Sequence, residues 1–103
     1  MKSEQLKKLY TESKKSEDNE HFIRIMKKQL QDVLSGLGFE VDCVAEIVNL
    51  GTKKKKILLN TTTVLLRRGR ELYMTRRINA LIDFIFSQNP DENALFDIIY
   101  NRV

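Results

Sequence analysis

The spacing of large apolar residues changes along the chain, and each change marks an expected element. Phe22, Ile23, Met26, Leu30, Val33, Leu34 and Leu37 recur at intervals of three and four. That spacing gathers them on one stripe of a helix over residues 19–37, with Arg24, Lys27, Lys28, Gln31 and Asp32 falling between them. Asp18 or Asn19 can accept a free backbone N–H at its start. Gly36 and Gly38 permit the left-handed geometry that ends a helix. From Phe39 the period shortens to two. Phe39, Val41, Cys43, Ala45 and Ile47 alternate with Glu40, Asp42, Val44, Glu46 and Val48, which predicts a strand with one buried face.

Turn chemistry follows at Asn49-Leu50-Gly51-Thr52, and the lysine run begins directly after it. The β-branched stretch Thr61-Thr62-Thr63-Val64 within Ile57–Leu66 predicts a second strand. Arg67-Arg68-Gly69-Arg70 reads as a hairpin connection, and Leu72–Ile78 as a third, short strand. A helical period returns through Ala80, Leu81, Ile82, Phe84, Ile85 and Phe86, and Asn89-Pro90 breaks it. Pro90-Asp91-Glu92 suits the opening of a last helix whose apolar face is Ala94, Leu95, Ile98 and Ile99.

Ahead of all this, Leu6, Leu9 and Tyr10 support a short helix in a polar opening segment, residues 1–18, set against a domain over 19–103. The expected order is α-α-β-β-β-α-α, an α+β domain with a three-stranded antiparallel meander packed on helices. An all-α alternative would make residues 61–87 one long helix capped by Asn60. The three threonines and Gly69 weigh against it.

Length and composition then set bounds. A chain of 103 residues, 42% hydrophobic and 31% charged, suits one globular domain. No apolar run reaches the roughly 18 residues of a membrane span. The Met1-Lys2-Ser3-Glu4-Gln5 opening lacks the apolar stretch of a secretory signal. A lone Cys43 cannot form an internal disulfide, which points to a reducing, cytoplasmic setting.

Charge changes the picture more than composition does. The formal net charge is +4, yet residues 1–50 are at −1 and residues 81–103 at −3. Between them stand Lys53, Lys54, Lys55, Lys56, Arg67, Arg68, Arg70, Arg76 and Arg77 against Glu71 alone, a net of +8 in thirty residues. Such a window repels itself unless an anionic partner, or solvent, relieves it. In a meander the lysine run and the Arg67–Arg70 turn lie at opposite ends of the sheet, a separation that suits an extended polyanion better than a small metabolite. Contacts of this kind would hold phosphates without reading sequence. Tyr73 is the aromatic inside the window; it can stack on a base, or pack on the sheet with its hydroxyl in water.

The principal expectation is therefore a small basic nucleic-acid-binding protein, DNA or RNA, contacting phosphates through residues 53–77. The alternative is a non-enzymatic protein-interaction module: an adaptor, inhibitor or regulator of the phage or mobile-element type. Its surface would be the C-terminal apolar residues Phe84, Phe86, Phe96, Ile99 and Tyr100, meeting in a homodimer. An acidic protein could also engage the basic window. A remote third possibility is a metal-dependent nuclease built on Glu40, Asp42 and Glu46, although three acids on a strand face more commonly pair with bases across the sheet. His21 has no second histidine with which to form a metal site, and neither a catalytic triad nor a phosphate loop can be assembled. No catalytic residue, metal or cofactor is expected.

Overall fold

The computed structural model describes residues 2–16, 20–45 and 63–101. Among them the elements run α1 (Ser3–Ser16), α2 (Glu20–Leu34), a 3-10 turn (Ser35–Leu37), β1 (Glu40–Ala45), β2 (Thr63–Arg68), β3 (Glu71–Thr75), α3 (Ile78–Ile85), α4 (Glu92–Phe96) and β4 (Tyr100–Asn101). The strands form one antiparallel sheet in the order β1-β2-β3-β4. The fold is α+β, and the all-α alternative is excluded, because residues 63–68 and 71–75 pair as strands.

The helical stripe of α2 is buried as its spacing dictates: Phe22, Met26, Leu30 and Leu34 are fully enclosed. Each such side chain stabilises the fold by roughly 1.5–3 kcal/mol relative to leaving it in water. Gly38 ends the segment at φ 81°, and β1 then doubles back along α2. The opening helix α1 shares this core. Leu6 and Tyr10 are buried against it, and Lys7 reaches Asp83 of α3 at 2.6 Å.

Besides shifts of a few residues at element ends, such as β3 stopping at Thr75 and Ile78 opening α3, three features depart from the expected pattern. First, strict alternation fails in β1. A register shift between Val41 and Cys43 inserts a bulge, so Val41 and Val44 both face the core, although they differ in parity. Second, the hairpin connection is shorter than expected. Arg67 and Arg68 belong to β2, and Gly69-Arg70 alone make the turn, with Gly69 at φ 63°. Third, the sheet has a fourth strand. The last helix stops at Phe96, and Tyr100 and Asn101 pair with Met74 and Tyr73. The reversal is held by the buried Thr75, whose hydroxyl donates to the Ile98 carbonyl at 2.8 Å and accepts the Arg77 N–H at 3.0 Å. Periodicity cannot show this, since Ile98 and Ile99 fit a helix face as well as a strand approach.

The helices pack on one face of the sheet, against Val41, Val44, Val64, Leu66 and Tyr73. Register assigns Glu40, Arg67 and Leu72 to the other face, with Leu65, Met74 and Tyr100 beside them. Leu65 is buried, yet it lies outside the helix–sheet core.

Candidate anion-binding surface

Backbone pairing decides which basic side chains are available to a partner. Arg67 stands on the open face of the sheet, where its guanidinium meets Asp42 at 3.4 Å. The bulge in β1 places Asp42 there, so this acid serves cross-strand pairing with a base. Glu40 is exposed on the same face, and Glu46 lies outside the described residues. Among the described residues no group of three or more His, Cys, Asp and Glu side chains could hold a metal ion.

Arg68 points the opposite way, toward the helical layer. Its guanidinium lies 4.7 Å from the Phe39 ring centre and 5.3 Å from that of Phe96, and it bonds to Glu92 of α4. The bond to Glu92 raises the guanidinium pKa above its ordinary value and keeps the group charged. Phe39, Tyr73 and Phe96 meet around it with centroids 5.5–6.1 Å apart, in edge-on and tilted arrangements. Arg68 thus fastens α4 to the end of the sheet through its pair with Glu92, with about 35% of the side chain still exposed.

Tyr73 is part of the same clamp. Only 7% of its surface is exposed, and its hydroxyl donates to the Glu71 carboxylate. That bond, aided by burial, pushes the phenol pKa upward. A base therefore has no open ring to stack on at Tyr73, and of the two placements considered for this residue the structure shows packing on the sheet. Its hydroxyl is engaged by a carboxylate.

What remains of the basic window lies at the two ends of β3. Arg70 occupies the β2–β3 turn, exposed, with no ion pair to any described residue. Arg76 and Arg77 follow Thr75, also exposed and likewise without an ion pair among the described residues. Arg77 makes one long bond, 3.4 Å, to the Asp97 carbonyl and occupies the N-cap position of α3 without a side-chain cap. A strand advances about 3.3–3.4 Å per residue, so Arg70 and Arg76 stand roughly 20 Å apart. Lys53, Lys54, Lys55 and Lys56 lie outside the described residues. The ends of the chain that carries them, Ala45 and Thr63, pair with each other at the Arg76 end of the sheet.

A second group of cations was not singled out by sequence reasoning. Arg24, Lys27 and Lys28 are exposed on α2 and line, with Gln31 and Asp32, a shallow open depression of about 340 Å³. Arg24 also contacts the His21 ring at 3.1 Å. Counting charge along the chain hides this group, because the acids of residues 1–50 cancel it. The signal that could have found it is helical: residues 24, 27, 28 and 31 fall on one side of a helix.

The C-terminal apolar residues divide. Phe84 and Ile99 are buried in the chain's own core, and Phe86 packs against it half-buried. Phe84 and Ile99 are thus enclosed by the chain itself, while Phe86 keeps part of its surface exposed. Phe96 and Tyr100 remain exposed, at 36% and 54%.

Compared with protein-family models, curated proteins and solved structures, the chain matches none. Among the described residues no helix is long and apolar enough to cross a membrane.

Proposed function

We propose that the chain binds the phosphate backbone of nucleic acid through cations set at the two ends of its sheet. Arg70 acts at one end and Arg76 with Arg77 at the other; Lys53, Lys54, Lys55 and Lys56, which lie outside the described residues, are proposed to add to the same positive charge. The observation that carries this reading is the exposure of Arg70 and Arg76, without acidic partners among the described residues, roughly 20 Å apart. A duplex rises about 3.4 Å per base pair, so this span covers about six base pairs. A single small anion cannot engage both ends.

In this reading the contacts centre on fewer residues than the whole 53–77 window. Arg67 is partly neutralised by Asp42, Arg68 is withdrawn into the clamp, and Tyr73 is a core residue.

Salt-titrated binding to labelled nucleic acid tests the proposal. Each duplex phosphate contact contributes about 0.9 to the slope of log affinity against log salt. The variant R70Q/R76Q/R77Q is expected to reduce that slope by about 2–3. Lys7→Gln, which removes a cation already paired with Asp83, is expected to leave the slope unchanged. Absence of wild-type binding at low salt, or an unchanged slope in the triple variant, would overturn the assignment.

A further inference from the structure

We infer that the cations of α2 form a second phosphate-contacting row, and that the partner is a double-stranded nucleic acid. This inference rests on the proposed function and extends it to a surface and a substrate class.

The placement of the row follows from one hydrogen bond. The Gln31 side-chain oxygen accepts the Val41 N–H at 3.3 Å, so this side of α2 runs beside the edge of β1 that pairs with no other described strand. Lys27 and Lys28 stand one helical turn before Gln31, and Arg24 stands two turns before it. Since β1 doubles back along α2, moving from Gln31 to Arg24 leads toward Ala45. That is the end of the sheet where Val64 pairs with Thr75 and where Arg76 and Arg77 follow. The α2 cations and the Arg76–Arg77 pair therefore flank one end of the molecule. The strands they adjoin, β1 and β3, lie two strand steps apart, about 10 Å at 4.7–4.9 Å per strand.

Charge on this row is uncompensated locally. Three cations share the depression with Asp32 alone, and none of the three makes an ion pair with a described acid. Residues three and four apart on a helix hold their Cβ atoms about 5–6 Å from each other, so the three charges form a short ladder. A ladder on a helix, set across from a second group of arginines, matches two phosphate rows separated by a groove. A single strand supplies one such row.

Aromatic placement points the same way. Proteins that hold single strands combine cations with exposed rings on which bases stack. Here Tyr73 and Phe39 are buried, and one face of Phe96 is occupied by Arg68. Tyr100 is exposed, but it pairs with Met74 on the open face of the sheet, away from the helical layer that contains α2. Among the described residues the ring beside the α2 cations is the His21 imidazole, which Arg24 engages at 3.1 Å; the exposed Phe96 and Tyr100 lie on other elements.

The test compares the wild type, R24Q/K27Q/K28Q and R70Q/R76Q/R77Q on a 20-base-pair duplex and on its separate strands, across a salt series. The three α2 side chains are exposed, and thermal unfolding confirms that the variant retains its fold; single Lys27→Gln and Arg24→Gln variants repeat the measurement if it does not. Duplex binding tighter than single-strand binding is expected at every salt concentration. The α2 variant is expected to lose about 2–3 from the log–log slope, with binding at least roughly tenfold weaker near physiological salt. An α2 variant with wild-type slope would overturn the inference while leaving the sheet-end arginines in place. Equal or tighter binding of single strands would overturn it as well. A wild type that binds neither form at low salt would remove the proposed function itself.

Discussion

Replacing Thr75 by valine probes the junction on which the C-terminal part of the fold depends. The side chain is wholly enclosed, and its hydroxyl serves two backbone groups, the Ile98 carbonyl at 2.8 Å and the Arg77 N–H at 3.0 Å. Valine keeps the shape and removes both bonds. An orphaned buried donor or acceptor costs about 1–3 kcal/mol, so the two together should destabilise the protein by about 2–6 kcal/mol. The unfolding entropy of a chain this size, about 2.1 cal/mol/K per residue, converts that into a fall in Tm of roughly 9–28 °C. Serine at the same position retains the hydroxyl and loses one methyl, which should cost only about 1 kcal/mol. Urea unfolding of the three proteins gives the comparison, with the slope m expected to stay constant. Hydrogen exchange adds a local readout: the Tyr100 and Arg77 amides should exchange faster in Thr75→Val than in Thr75→Ser. A Thr75→Val protein within 0.5 kcal/mol of the wild type, or a Thr75→Ser protein equally destabilised, would refute the role given to the hydroxyl.

Two further predictions concern the backbone and the clamp. Gly38 and Gly69 hold φ at 81° and 63°, a region that costs an L-residue about 1–2 kcal/mol, so Gly38→Ala and Gly69→Ala should each lower stability by about that amount in urea unfolding. At Gly69 a Cβ would meet nothing within 4 Å, so Gly69→Asn, which tolerates the left-handed region, should cost less than Gly69→Ala; equal losses would show that space rather than φ decides there. The Glu71 carboxylate holds the Tyr73 phenol above its ordinary pKa of 10.0, and a raised folded-state pKa stabilises the protein below pH 10 and ceases to do so as pH rises through it. Phenolate absorbance should therefore show a late-ionising tyrosine that Tyr73→Phe removes and Glu71→Gln shifts to lower pH; an unmoved titration in Glu71→Gln would contradict the assigned cause.

The candidate surface shows why a count of charges and a map of charges differ. Arg67, Arg68 and Arg70 are nearly adjacent in the chain, yet they meet three different environments. Alternation along β2 sends Arg67 to the open face and Arg68 to the helical face, while the turn leaves Arg70 in water. Asp42, Glu92 and Glu71 belong to other parts of the chain or to the next strand, and pairing brings the first two onto arginines. A net of +8 over thirty residues therefore overstates the charge that those residues present together. Conversely, Arg24, Lys27 and Lys28 sit in a stretch of negative balance and still line one side of α2.

Much of the architecture was legible because local pattern and burial agree. The seven apolar positions from Phe22 to Leu37 can share a buried face only as a helix, and Gly38 can end it only because its φ is free. Likewise, the threonines and valine around residue 63 favour a pleated strand, and Asp91 caps α4 by accepting the Ala94 N–H at 2.8 Å. Such preferences act over a few residues, within reach of one-dimensional inspection. The tertiary structure alone decided the bulge in β1, the fourth strand, the withdrawal of Arg68 and Tyr73 into the clamp, and the alignment of the α2 cations with the edge of the sheet. Each depends on a contact between residues distant in sequence: Val41 with Leu66, Thr75 with Ile98, Arg68 with Glu92, Gln31 with Val41. Which of several locally acceptable arrangements prevails is settled by the buried hydrogen bonds and packing that those distant partners complete.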